Sequence, residues 1–213
     1  MDLGQLSQRF APQRIATAQG AIAFRRAGAG APLVLLHGIG SASGSWVRQL
    51  QALSTSHDVL AWDAPGYGES APLPMAQPQP QDYAARMWAW LDALGIQGPV
   101  TLAGHSLGAL MAAAAAGLQP ARVARLVLLS PAQGYGLAEA AEREKKRDDR
   151  LANLLALGPQ GMADRRGTAM VSPQAAPELV AYVKSIMAQV IPAGYTQATH
   201  MLAGAHLPGL LDE

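Results

Sequence analysis

Four short stretches of the chain are almost continuously apolar, and each ends in a polar or glycine-rich turn: "PLVLLHGIG" (32–40), "HDVLAWDAPG" (57–66), "PVTLAGHS" (99–106) and "RLVLLSP" (125–131). Runs of this kind are predicted to be strands covered on both faces, because a strand with one wet face would alternate apolar with polar positions. Helical patterns lie between them at 44–53, 80–95 and 106–118. Strand, helix, strand, repeated, predicts a mostly parallel sheet with helices on both faces, an α/β fold.

Upstream, "QRIATAQGAIAFRRAG" (13–28) reads as two strands turning at Gly20, extending one side of the sheet as an antiparallel hairpin. After Pro131 the period changes. "GLAEAAEREKKRDDRLANLLALG", "PELVAYVKSIMAQVI" and "YTQATHMLAGAHLPGLL" all repeat at helical spacing. The chain therefore divides into a sheet-based core over 1–133 and a helical region over 134–213, with no internal repeat. "PLPMAQPQPQ" (72–81) is predicted to be a loop.

Composition narrows the function classes. The 213 residues are half apolar and carry a formal charge of +1, which suits one globular domain and gives no electrostatic reason for nucleic acid or an anionic membrane as partner. Cysteine is absent, so disulfides, thiolate metal sites and cysteine nucleophiles are excluded, and a reducing compartment is the simplest setting. "MDLGQLSQRFAPQRI" does not have the pattern of a secretion signal, and no apolar run reaches bilayer length, so a cytoplasmic protein acting on a small molecule is expected.

The chemistry points to one hydroxyl. "GHSLG" (104–108) places Ser106 between two glycines where the third apolar run meets the alanine-rich helix. On so tight a strand-to-helix turn, side chains at Gly104 or Gly108 would collide with backbone, and the turn thrusts the Ser106 hydroxyl out beyond the strand's carboxyl end. With 22 glycines in the chain, the pentapeptide alone arises by chance in about one such chain in ten, so its weight comes from its placement. "HGIG" (37–40) follows the first core strand, where backbone N–H groups can face a developing negative charge. Ile39 and Leu107 are the candidate donors, at about 3 kcal/mol of transition-state stabilisation each.

With these residues in hand, the chain resembles the α/β-hydrolase fold family. "LVLLHGIGSASGSW" resembles its oxyanion loop, "WDAPGYGES" (62–70) its turn after the following strand, "LAGHSLG" its nucleophile elbow and "ARVARLVLLSPA" (121–132) the strand that closes this half. The helical region is similar to the lid that the family inserts next. Within the family the resemblance is to lidded bacterial catabolic hydrolases such as enol-lactonases, esterases and C–C hydrolases. It implies a serine hydrolase acting on an ester, lactone or related carbonyl through an acyl-enzyme at Ser106, with no cofactor and no metal. A ligand-binding protein without turnover, or an acyltransferase or perhydrolase, would use the same scaffold.

The resemblance also implies an acid and then a histidine after the lid, each behind a further strand. Neither is found before Glu213, so the 213 residues are expected to be the front portion of a longer hydrolase that lacks the family's last strands. "RLVLLSP" would then be an apolar edge strand, prone to aggregation or to homodimer formation through that edge. His37 is expected to shape the oxyanion loop, His105 to point away from Ser106, and His57 to sit at a strand's amino end. His200 and His206 fall on helical segments, and Asp148, Asp149 and Asp164 in charged stretches that read as solvated helix faces.

Four other features remain. Asp63 is expected to pin its own Pro-Gly turn rather than to act as an acid. The glycines of "AGAGAP" and "HGIGSASG" lack the ending of a nucleotide loop. Trp46, Met75, Met162, Met170 and Met187 are candidates to line a pocket or the core. Trp88 and Trp90, two apart on one helix, cannot both face the sheet.

Overall fold

A computed structural model describes residues 1–212. Six strands form one sheet: β1 (Gln13–Ile15), β2 (Ile22–Ala27), β3 (Ala31–Leu36), β4 (His57–Trp62), β5 (Val100–His105) and β6 (Val123–Leu129), in the order β1-β2-β4-β3-β5-β6. β1 and β2 pair as the expected antiparallel hairpin, and β2 joins β4 antiparallel. The β4-β3, β3-β5 and β5-β6 pairs are parallel. From β3 the chain moves to one side to make β4 and then crosses to the other side to make β5. The carboxyl ends of β3 and β5 are therefore neighbours at the point where the winding reverses, the place where open parallel sheets leave a crevice.

The apolar runs split between two faces at the two-residue period of a strand. Val34, Leu36, Leu60, Trp62 and Leu102 join one core under α3 (Pro80–Ala93) and α4 (Leu107–Leu118), while Leu33, Leu35, Val59, Ala61 and Ala103 join a second. α2 (Val47–Leu53), led in by a 3-10 turn at Ser43–Trp46, covers that second face with α1 (Leu3–Arg9). α1 has a legible signal that the hydrophobic pattern alone missed. Asp2 caps the Gln5 amide while the Gln5 side chain caps Asp2, a reciprocal box just before Leu6 and Phe10 turn inward.

α3 solves its two-tryptophan problem by being buried on two sides. Trp90 stacks on Trp62 of the sheet at 6.1 Å between centroids, and Trp88 donates its indole N–H to the Ala115 carbonyl of α4 at 3.1 Å. β6 departs from the expectation of cover on both faces. Leu126 and Leu128 pack on the first core, but Val127 and Leu129 are 39% and 41% exposed at the sheet edge, because no helix among the described residues covers that side.

The helical region contains α5 (Ala140–Arg166), α6 (Pro177–Met187), α7 (Pro192–Gly204) and α8 (Leu207–Leu211). α5 breaks at Gly158, whose φ of 62° ends the first segment where the periodicity ends, and Pro159 starts the next. The tail of this region returns to the sheet: Leu207 and Leu210 of α8 join the first core beside α4. No helix among the described residues is long and apolar enough to cross a membrane.

Candidate active site

Ser106 is the point where β5 becomes α4, and its backbone is strained, with φ 52° and ψ −113°. A non-glycine residue rarely adopts positive φ, and the conformation persists only where the surroundings impose it. A Cβ on Gly104 would lie 2.3 Å from the Gly108 carbonyl oxygen, and one on Gly108 would lie 2.2 Å from that of Leu36. Both glycines are therefore obligatory for the approach of α4 to β5 and β3. The end of β6 completes the clasp. The Ser106 N–H donates to the Leu129 carbonyl at 3.0 Å, and the Ser106 carbonyl accepts from the Ala132 and Ala109 amides, both at 3.1 Å. The neighbouring Ser130 is the other non-glycine residue at positive φ among those described.

The turn after β3 meets this bend directly. A Cβ placed on Gly38 would lie 3.2 Å from the Ser106 Cβ and 3.2 Å from His105 Nδ1, so the turn at residues 37–40 rests against the serine. Ile39, Ser106 and Leu107 share the wall of one cavity of about 290 Å³. Neither the Ile39 nor the Leu107 amide donates a hydrogen bond to another described residue.

Two buried side chains hold the turn in place. His37 accepts the Ala64 N–H at Nε2 (3.0 Å), so its proton sits on Nδ1, which donates to the Gly38 carbonyl at 2.9 Å. Burial holds its pKa below the ordinary imidazole value, against weaker raising contributions from the Gly38 carbonyl and Asp63, so the ring is neutral at pH 7. The Tyr67 ring packs edge-on against it at 4.9 Å. Asp63 does not pin its own turn, as its position suggested. Its carboxylate accepts the Ser43 N–H at 2.7 Å and so ties the end of β4 to the loop after β3. Twenty residues separate the two, so nothing local announces the bond. The turn is held instead by the Ser70 hydroxyl, which donates to the Asp63 main-chain carbonyl at 2.6 Å, and by backbone bonds from Tyr67 to Ala64 and from Ser70 to Tyr67.

The larger opening onto Ser106 is a cleft of about 420 Å³ between these loops and the helical region. Trp46, Met162, Met170 and Met187 line it, whereas Met75 does not. His105 also lines it, half-buried, with its pKa lowered by desolvation, and makes no hydrogen bond to Ser106. The remaining histidines are placed elsewhere. His57 Nδ1 is hydrogen-bonded to the Ser56 hydroxyl at the amino end of β4, and His206 caps α8 by accepting the Gly209 amide. His200 on α7 lies near Arg147 and Asp148 of α5, its pKa lowered mainly by desolvation. No described histidine is hydrogen-bonded to Ser106, and no three His, Cys, Asp or Glu side chains among the described residues converge as metal ligands would.

Known proteins resemble the chain in sequence and in fold. The (E)-2-((N-methylformamido)methylene)succinate hydrolase of Acinetobacter baylyi is 37% identical over 103 residues, 48% of this chain and 38% of that protein. The dihydrolipoyllysine-residue acetyltransferase component of the acetoin cleaving system of Pseudomonas putida is 40% identical over 111 residues, 52% of this chain and 29% of that protein. These alignments thus span well under half of each relative. Among solved structures, the enol-lactonase of Burkholderia xenovorans superposes with a TM-score of 0.80 at 20% identity, covering 92% of this chain and 75% of that one. A hydrolase from Pseudomonas aeruginosa does so with a TM-score of 0.76 at 25% identity, covering 93% and 74%. The family model described as alpha/beta hydrolase fold matches residues 31–168, from the first strand of the parallel sheet to the end of α5, and the chain belongs to that family.

Proposed function

We propose that the chain carries the nucleophile and the oxyanion donors of a serine hydrolase for an ester, lactone or related carbonyl substrate. Ser106 is the nucleophile. The observation that carries the reading is its strained bend, enforced by two glycines that no side chain can replace and opening onto a cleft of about 420 Å³. Its Oγ attacks the carbonyl carbon and gives up its proton to a base, the tetrahedral oxyanion accepts the Ile39 and Leu107 N–H groups, and the leaving oxygen departs protonated. Water then hydrolyses the acyl-enzyme and restores the hydroxyl. The helical region acts as a lid that shapes the cleft. Similarity in sequence to the (E)-2-((N-methylformamido)methylene)succinate hydrolase and in fold to an enol-lactonase supports this assignment.

A second reading, binding of a small ligand without turnover, draws on one observation: no described histidine is hydrogen-bonded to Ser106. A fluorophosphonate probe and a short p-nitrophenyl ester separate the two when applied to the full-length gene product. The hydrolase reading expects covalent label on Ser106 and ester turnover, both abolished in Ser106→Ala. Absence of label, or turnover unchanged in Ser106→Ala, overturns it and leaves the binding reading.

A further inference from the structure

The cleft has a cation with no partner. Arg150, on α5, lines the 420 Å³ cleft with Ser106 and also the 290 Å³ cavity shared by Ile39, Ser106 and Leu107, so it reaches both spaces that open on the serine. It is half-buried and makes no ion pair or hydrogen bond with any described residue. The two acids beside it on the helix are engaged by other cations: Asp149 by Lys145 at 2.7 Å, and Asp148 by Arg147 at 2.7 Å. Arg166 joins Arg150 on the large cleft, and both line a third cavity of about 300 Å³ together with Arg165. None of these three cavities is lined by Asp or Glu among the described residues.

The Arg150 guanidinium shares the cleft wall with Met162, Met187 and Tyr195, and an anionic ligand would supply the counter-charge that no described acid there does. A guanidinium presents its donors as a planar fork, the geometry that grips a carboxylate or phosphate through two parallel bonds. Trp46, Met162, Met170, Val183 and Met187 add an apolar stretch to the cleft wall, which suits the carbon chain of an organic acid and does not strengthen the hold on a bare inorganic anion.

We infer that Arg150, supported by Arg166, is a specificity-determining residue that binds a carboxylate on the substrate, so that the enzyme selects acyl compounds carrying a second, free acid group. This rests on the reading of Ser106 as the reacting group, and its test is independent of turnover. Glutarate serves as the probe in titration calorimetry of the chain. Glutarate is expected to bind, with affinity falling as salt rises, equally well to wild type and Ser106→Ala. Arg150→Gln should weaken it by about tenfold or more, Arg150→Lys by less, and the neutral dimethyl ester of glutarate should bind about tenfold more weakly than the diacid.

No binding of glutarate, equal binding to Arg150→Gln, or inorganic phosphate binding as tightly as glutarate would each overturn the inference. Loss of fluorophosphonate labelling with intact glutarate binding would instead overturn only the catalytic reading, and the converse result only this one.

Discussion

The floor and the roof of the cleft are built on opposite principles. Below Ser106 nearly every group is pinned: the strained turn is clasped by Leu129 and Ala132, His37 spans two loops, and the Asp63 carboxylate crosses from β4 to Ser43. Above it, α5 presents Arg150 without a partner, breaks at Gly158, and leaves Leu155 89% exposed. The contrast fits a division of labour in which chemistry demands fixed geometry and recognition needs a surface whose charges are free until a ligand arrives.

The contrast can be broken from either side. The largest effect is expected from Gly104→Ala and Gly108→Ala. A methyl group 2.2–2.3 Å from main-chain oxygen forces α4 off the sheet, with a loss of about 4 kcal/mol or more in urea denaturation. A loss below about 1 kcal/mol would show that the floor yields. Asp63→Ala strands the buried Ser43 amide and is expected to cost about 1–3 kcal/mol by the same measurement.

Acid tests the floor through His37. Its folded pKa lies below the unfolded value of about 6.5, so the unfolded chain binds more protons in acid. The neutral ring's contribution is fully present above about pH 6.5 and falls away below it, by up to about 1.4 kcal/mol per pH unit. His105, also lowered, adds in the same direction. Urea midpoints between pH 7.5 and 5 are expected to follow this slope and to flatten in His37→Gln; a slope unchanged in that variant would remove His37 as its source.

On the roof, Leu155→Lys is expected to move stability by no more than about 0.5 kcal/mol. The edge of the sheet gives a final comparison. β5 and β6 both read as buried strands in the sequence, but of the two only β6 exposes a face and a row of unpaired main-chain groups. Sedimentation of the chain is expected to show concentration-dependent association that Val127→Lys suppresses, at little cost in stability. Association unchanged in that variant would place the contact elsewhere.

The legible parts of this protein are those whose cause is local. The strand runs, the helix over 80–93, the break at Gly158 and the bend at Ser106 follow from period, from turn chemistry and from the steric demand of two glycines, all read within a few residues. The opacity of Arg150 has the opposite origin. In "KKRDDR" it is one cation among several on an apparently solvated helix face, and only the docked helix shows which acids are taken and which guanidinium is left over the cleft. The Asp63 bond to Ser43 and the place of His105 on the cleft wall are hidden for the same reason.

By itself the sequence determined the alternation of strands and helices, the antiparallel hairpin and the sharp turn that presents Ser106, because each depends on hydrophobic period or backbone sterics within one segment. Only the tertiary structure decided which loops touch, which face of β6 stays bare and which charge goes unpaired. Those depend on distances between segments far apart in the chain, and hydrogen bonds and ion pairs are set by distance, not by order.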